Sequence, residues 1–219
     1  MPFTEEELRV LMGDGRGYGA NDWAEQHHIK APRNSPEFSW GKDILMSRCQ
    51  LRKGYCIAQT HFAFLGLKSI KKKPLTILHL YKLFPSSGQP RFHFDPPIPY
   101  MREERFSTVE TCEFRWYLMP LDPVKDSFGK NYREQRGCRP LGYEVPLAVE
   151  EVMKRFLYYE KTGKYLGSAT DRVRCRDLHS GGDRTVVGPH TKDGLAIFGM
   201  WEHEEYPFLG MSASRIPGQ

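Results

Sequence analysis

Three histidines, a cysteine–histidine pair and a row of arginines are the residues of this chain whose types could do chemistry. His61, His79 and His93 could ligate a metal, yet they share no short ligand spacing. His79 also falls in an apolar helical pattern, where a hydrogen-bonded core histidine is the plainer reading. Cys175 and His179 stand four residues apart, which on a helix would make a thiolate pair; they lie instead among strand formers and glycines. Arg172, Arg174 and Arg176 alternate, so on a strand they line one face, and Arg184 can join them as a phosphate track. A solvated strand face is the plainer reading, because RNA-binding sheets also need stacking aromatics. The same holds for Lys68 and the run Lys71 to Lys73, read as a solvated loop. No phosphate-binding Gly-x-x-x-x-Gly-Lys-Ser/Thr loop and no nucleophile elbow is present. Gly13-Asp14-Gly15-Arg16-Gly17-Tyr18-Gly19 is glycine-rich, but with no strand before it and no clear helix after it, it reads as a loop. Five cysteines, Cys49, Cys56, Cys112, Cys138 and Cys175, form no Cys-x-x-Cys pair, so reduced thiols are expected and a structural zinc is not. No catalytic residue, metal or cofactor is assigned, and a binding protein is expected.

Those residues need elements to hold them. Hydrophobic residues are 39% and aromatics 13% of 219 residues, enough for one generous domain and too many for disorder. The net charge of +5, from 32 basic and 27 acidic residues, permits an acidic partner without requiring one. No apolar run is long enough to span a bilayer, and the acidic N-terminus lacks a secretion core, so a soluble chain without membrane insertion, cytoplasmic by default, is expected. Thr4 and Glu7 fit a capping box for a short helix ending at Gly13. The rest of residues 1–54 reads as an irregular wrapping segment that docks Trp23 and Trp40 onto a main body at 55–219, the two together also reading as one continuous domain. Tyr55 to Phe64 is predicted as a strand, Leu75 to Phe84 as a buried helix opened by Pro74, and Phe114 to Met119 as a buried strand stopped by Pro120. The proline-rich run at 94–99 suits neither helix nor central strand, and Asp122 to Gly142 reads as a long loop. The best helix runs from Pro146 to Thr162, with Val149, Val152, Met153, Phe156 and Leu157 on one face and Gly163 closing it. Short strands follow at Arg172, Arg184, Leu195 and Leu209, cut by glycine turns. The fold class is therefore α+β, helices packed with short antiparallel β-sheets and irregular loops.

The segment from Leu195 to Phe208 is unusual. Ala196, Phe198, Met200, Trp201, His203, Glu204, Glu205, Tyr206 and Phe208 crowd together, and Glu202 to Glu205 must meet water. Trp and Tyr beside exposed charge suit a recognition surface; a hairpin whose aromatics fill the core while its tip stays polar explains the residues equally.

Tyr143-Glu144-Val145-Pro146-Leu147-Ala148-Val149-Glu150-Glu151-Val152 resembles the helix-opening motif of C-type-lectin-fold domains of the formylglycine-generating type, where an Arg-Leu-Pro-Thr-Glu-Ala-Glu-Trp segment begins the second helix. The later order is similar: Val173-Arg174, the turn Gly181-Gly182, and a closing Gly-x-x-x-Ser-Arg from Gly210 to Arg215. This layout, over Tyr143 to Arg215, resembles the variable proteins of diversity-generating retroelements. The motif departs from the family in lacking its Thr and Trp, with Leu147 and Val152 at or near those places. The related oxidase needs a cysteine pair near the C-terminal end, where only Cys175 stands. The resemblance implies a C-type-lectin-like scaffold displaying a mutable ligand face between Pro189 and Phe208, at His190, Ala196, Phe198, Met200, Trp201, His203, Glu204, Glu205 and Tyr206. It also implies a macromolecular partner, a protein before a nucleic acid. The rivals are a basic nucleic-acid-binding domain and an oxidase pairing Cys175 with Cys138.

Overall fold

The computed structural model describes residues 3–32, 34–94 and 99–218; most of the proline-rich run, at 95–98, lies outside them. The chain is α+β. Helix α1 (Glu5–Met12) opens with the expected capping box, Glu7 N–H donating to Thr4 Oγ1 at 3.2 Å, and ends at Gly13 with φ +82°. The glycine-rich run then departs from expectation. Gly17–Tyr18 is strand β1, and Gly19 caps helix α2 (Ala20–His27), its N–H donating to Asp22 at 2.8 Å. Helix α3 spans Lys42–Met46. Trp23 and Trp40 are buried as expected, donating to the carbonyls of Leu65 (2.8 Å) and Ile216 (3.3 Å).

The predicted strand at 55–64 divides into a one-turn helix α4 (Ile57–Thr60) and strand β2 (His61–Leu65). The break follows from Gln59, whose side chain accepts from Cys56 N–H at 3.0 Å and closes the turn. β2 is central in a three-stranded sheet, parallel to β1 and antiparallel to β5 (Trp116–Pro120). Strands β3 (Ser69–Ile70) and β4 (Lys73–Pro74) form a small hairpin. Pro74 thus ends a strand, and helix α5 (Ile77–Leu83) is capped by Thr76, later than the sequence suggested. Helix α6 is Arg105–Thr108. The expected loop at 122–142 contains a 3₁₀ turn, Lys125–Ser127, and helix α7 (Tyr132–Gly137), and ends in β6 (Tyr143–Glu144).

Helix α8 (Ala148–Thr162) packs on β2, β7 (Arg172–Leu178) and β8 (Arg184–Thr191), burying the five predicted apolar residues and stopping at Gly163 with φ +68°. The helix starts two residues later than expected, leaving Pro146 outside it and Leu147 at the N-cap, and Asp177 supplies the anchor by accepting from Ala148 N–H at 2.5 Å. The C-terminal sheet has the order β10-β7-β8-β9, with β9 at Gly194–Met200 and β10 at Leu209–Met211. Its β7, β8 and β9 pair antiparallel as expected, whereas β10 adds in parallel to β7. Strand β11 (Ser214–Arg215) returns to pair with β6.

The polar side of α8 is buried as well. Glu151 accepts from Lys154 (2.9 Å), from Arg155 (2.7 Å) and from the Ser212 hydroxyl. Lys154 also donates to the Pro120 carbonyl (3.1 Å), and Arg155 to that of Leu166 (3.2 Å). Burial alone would raise the Glu151 carboxyl; the two cations override it and hold the carboxyl below its ordinary value. Removing one member of such a buried cluster strands the others, so Glu151→Ala is expected to cost about 3–5 kcal/mol. A urea midpoint close to wild type would show that the cluster is dispensable.

Candidate binding surface

β9 alternates as a half-exposed strand. Leu195 and Ile197 face the core, while Ala196, Phe198 and Met200 are half-buried on the other side. The chain then leaves the sheet in a loop, residues 201–208, where Trp201 is 51% and Tyr206 37% exposed. His203 and Glu205 are exposed beside them, and Glu204 is half-buried. Eight of the nine predicted surface residues are thus wholly or partly solvent-accessible.

His190 is the exception and a correction. It lies buried against the rings of Phe156, Tyr159 and Tyr165, because β8 turns this position toward α8. Among the described residues neither ring nitrogen has a hydrogen-bond partner.

The loop is fixed from behind. Arg174 is fully buried and donates to the carbonyls of Trp201 (2.9 Å), Glu204 (2.7 Å) and Lys130 (3.2 Å), and to Gln135 Oε1 (3.1 Å). Tyr132 N–H donates to the Glu202 carbonyl at 2.9 Å, and Gly129 N–H to that of Tyr206 at 3.1 Å. Glu204 turns its carboxylate back onto Trp201 N–H at 2.8 Å. Asn131 reaches Glu205 at 3.1 Å. Aromatic and cationic groups then stack across the sheet: Arg172 lies over Phe208 (4.6 Å) and near Phe198 (5.8 Å), and Phe208 stacks on Tyr206. Beside the loop runs a groove of about 540 Å³ whose lining includes Arg133, Arg136, Arg139 and Arg184, with Glu202 as its one carboxylate, paired to Arg184 at 2.6 Å.

The expected arginine track does not form. Arg174 is committed to the loop, Arg172 to the aromatic stack, and Arg176 lies 3.6 Å from Glu144. Sequence reasoning missed Arg174 as a buried anchor, and α7 as its support. The second left a trace, since Asn131 and Glu134 make a capping box at the start of α7.

The other candidates separate. His61 is buried between Thr60 Oγ1 and Tyr143 OH, at 2.9 Å from each; His79 Nδ1 lies 2.8 Å from the Pro74 carbonyl; and His93 is exposed. Among the described residues no group of His, Cys, Asp or Glu is placed to hold a metal ion. Cys175 is buried, which pushes its thiol well up and leaves little thiolate, while His179 packs on Tyr100 and Phe106. Cys138 is unpaired and lies by Lys130 Nζ at 3.3 Å. Among the described residues no helix is long and apolar enough to cross a membrane. Compared with protein-family models, curated proteins and solved structures, the chain gives no significant match.

Burial lowers His61 and His190 to about 3, with Arg155 adding to the effect at His190. In the unfolded chain these rings take up protons near the ordinary value of 6.5. Each therefore removes stability as pH falls from there toward 3, at about 1.4 kcal/mol per pH unit. Asp177, raised to about 6 by burial, works in the opposite sense below that value, because its folded carboxyl protonates first. Comparing wild type with His190→Phe isolates one histidine. The variant is expected to gain about 1.4 kcal/mol relative to wild type for each unit between pH 6 and pH 4. Parallel urea stability profiles would show that His190 is protonated in the fold.

Proposed function

We propose that this is a non-enzymatic ligand-binding protein whose binding surface is the outer side of β9 together with loop 201–208. One observation carries the reading. The loop backbone is held by the buried Arg174 and Tyr132 and by the main-chain N–H of Gly129, while the side chains of Trp201, His203 and Tyr206 stand exposed. A surface ordered before contact loses less entropy on binding, and exposed Trp and Tyr are its natural anchors. The arginine-lined groove alongside favours a protein ligand with an acidic patch near its apolar contact.

The finer reading is a C-type-lectin-like scaffold of the kind used by variable proteins of diversity-generating retroelements, its face altered at the exposed positions. Beyond the sequence resemblance, it is supported by the way that segment closes on itself, Tyr143 pairing with Arg215 and Glu144 with Ser214. Diversification of this kind leaves a mark in the neighbouring DNA, a near-copy of the codons for about residues 180–215 that differs mainly at adenines, beside a reverse transcriptase gene. Flanking sequence without such a copy would remove the retroelement and leave the binding surface.

A second reading, single-stranded nucleic acid in the arginine groove with bases on Trp201 and Tyr206, has the cations and rings that it needs. Glu202, Glu204 and Glu205 in the same loop oppose it.

The decisive experiment randomises Met200, Trp201, His203 and Tyr206 together and selects displayed variants against an unrelated protein such as lysozyme. Binders are expected whose Tm lies within about 3 °C of the parent, whereas Arg174→Met, which releases four acceptors, is expected to cost about 3 kcal/mol. Loss of folding across the randomised set would make these residues core and sink the proposal.

A further inference from the structure

A second groove, of about 650 Å³, is built from residues that the C-terminal surface does not use. Its floor is apolar: Leu67 and Ile70 are buried, and Ile29 and Phe114 are half-buried. Its rim is cationic, with Lys30, Lys68, Lys71 and Lys72 all exposed. No carboxylate lines the groove, and among the described residues none of these four ammonium groups has an ion-pair partner.

The backbone adds a separate observation. β3 and β4 are joined by the two residues Lys71 and Lys72, at φ +49° and +66°. Two-residue turns of this hand favour Asn-Gly, because a Cβ is strained there. Of the four non-glycine residues with positive φ among the described residues, three (His28, Lys71 and Lys72) line this groove. Lysine therefore stands where glycine or asparagine would fold more easily, and backbone strain of this kind clusters at functional positions.

We propose that this groove is a docking site for an acidic peptide segment of a partner protein. One aliphatic or aromatic side chain of the peptide sits on Ile29, Leu67, Ile70 and Phe114, and flanking carboxylates meet the lysines. The charge is complementary only to an anion, and the apolar floor asks for an anchor between the anionic groups. A flat bilayer cannot reach a concave floor. A nucleic acid would find among the lining residues one half-buried phenyl ring, Phe114, and the small imidazole of His28 on which to stack. Lysines, as mobile point charges, suit a run of carboxylates without demanding the planar geometry that guanidinium groups impose.

The test uses the full chain and a fluorescent acidic dodecapeptide with one central leucine. Binding is expected at about 10 μM in low salt and about tenfold weaker at 0.5 M salt. The same peptide with glycine for leucine should bind about tenfold more weakly, through loss of the anchor. The double variant Lys71→Asn, Lys72→Gly should also lose about tenfold in affinity while its Tm rises by about 2–4 °C, separating function from folding. Undiminished binding by that variant, or equal binding of the leucine-free peptide, would overturn the proposal. So would tighter binding of a 12-nucleotide oligouridylate or of phosphatidylserine vesicles. Self-association abolished by the double variant would likewise overturn it, by giving the groove to a second copy of this chain. The site is independent of the surface around Trp201, and either can fail alone.

Discussion

The carboxylate of Glu151 is the point on which the three parts of this molecule bear. Through Lys154 it reaches the end of β5, through Arg155 the connection after α8, and directly the residue between β10 and β11. Two cations against one anion leave the cluster with surplus positive charge, and the carbonyls of Pro120 and Leu166 supply the balancing dipoles. Taking such groups out of water costs several kcal/mol each unless every partner is in position. A small slide of α8 over either sheet would leave one of them unpaired. The cluster thus acts as a register pin between the N-terminal and C-terminal sheets, where apolar packing alone would tolerate neighbouring registers.

Arg174 works by the same physics on the far side of the C-terminal sheet. Among the described residues its guanidinium has no carboxylate partner within ion-pair distance; three carbonyls and one amide oxygen accept from it. Burial holds its pKa below the ordinary value despite Glu204 and Glu202 nearby. Because two of the four acceptors on this rigid fork are carbonyls of the loop, the loop cannot move without breaking two charge-assisted hydrogen bonds together. A loop made wholly of surface residues is thereby given the fixity of a core element.

Both anchors explain what could be read in the sequence and what could not. Apolar periodicity placed α8 and the C-terminal strands, since Val149, Val152, Met153, Phe156 and Leu157 face the core as their spacing requires. The polar positions misled. Arg174 alternates with core residues and so reads as solvated, and Glu151, Lys154 and Arg155 lie on the polar side of an amphipathic helix. Each is buried because a distant segment folds over it, loop 201–208 in one case and the end of β5 at Pro120 with the segment at Leu166 in the other. Single-sequence patterning carries no term for such a cover. The loop at 122–142 was misread for another reason: Asn131 and Glu134 signal a helix start, but α7 is too short for a period to show. Trp201 and Tyr206 were open between core and surface, and their exposure resolves the choice for those two rings.

The same structure narrows which positions in the display segment are free to change. Glu204 caps Trp201 N–H, Glu202 pairs with Arg184, and Phe208 carries Arg172 and Tyr206; each side chain helps to hold the loop that it belongs to. Replacing any of them alters the platform as well as the face. Trp201 and His203 differ, because among the described residues no hydrogen bond that shapes the loop comes from their side chains; Trp201 contributes only backbone groups. Met200 and Ala196 lie at half-exposed strand positions, where the backbone ladder rather than the side chain sets the geometry. An adaptable surface must separate the groups that build it from the groups that read the ligand. Here the division falls inside the loop, residue by residue, so the adaptable face is a narrow strip from Ala196 to His203 with Tyr206 at its edge.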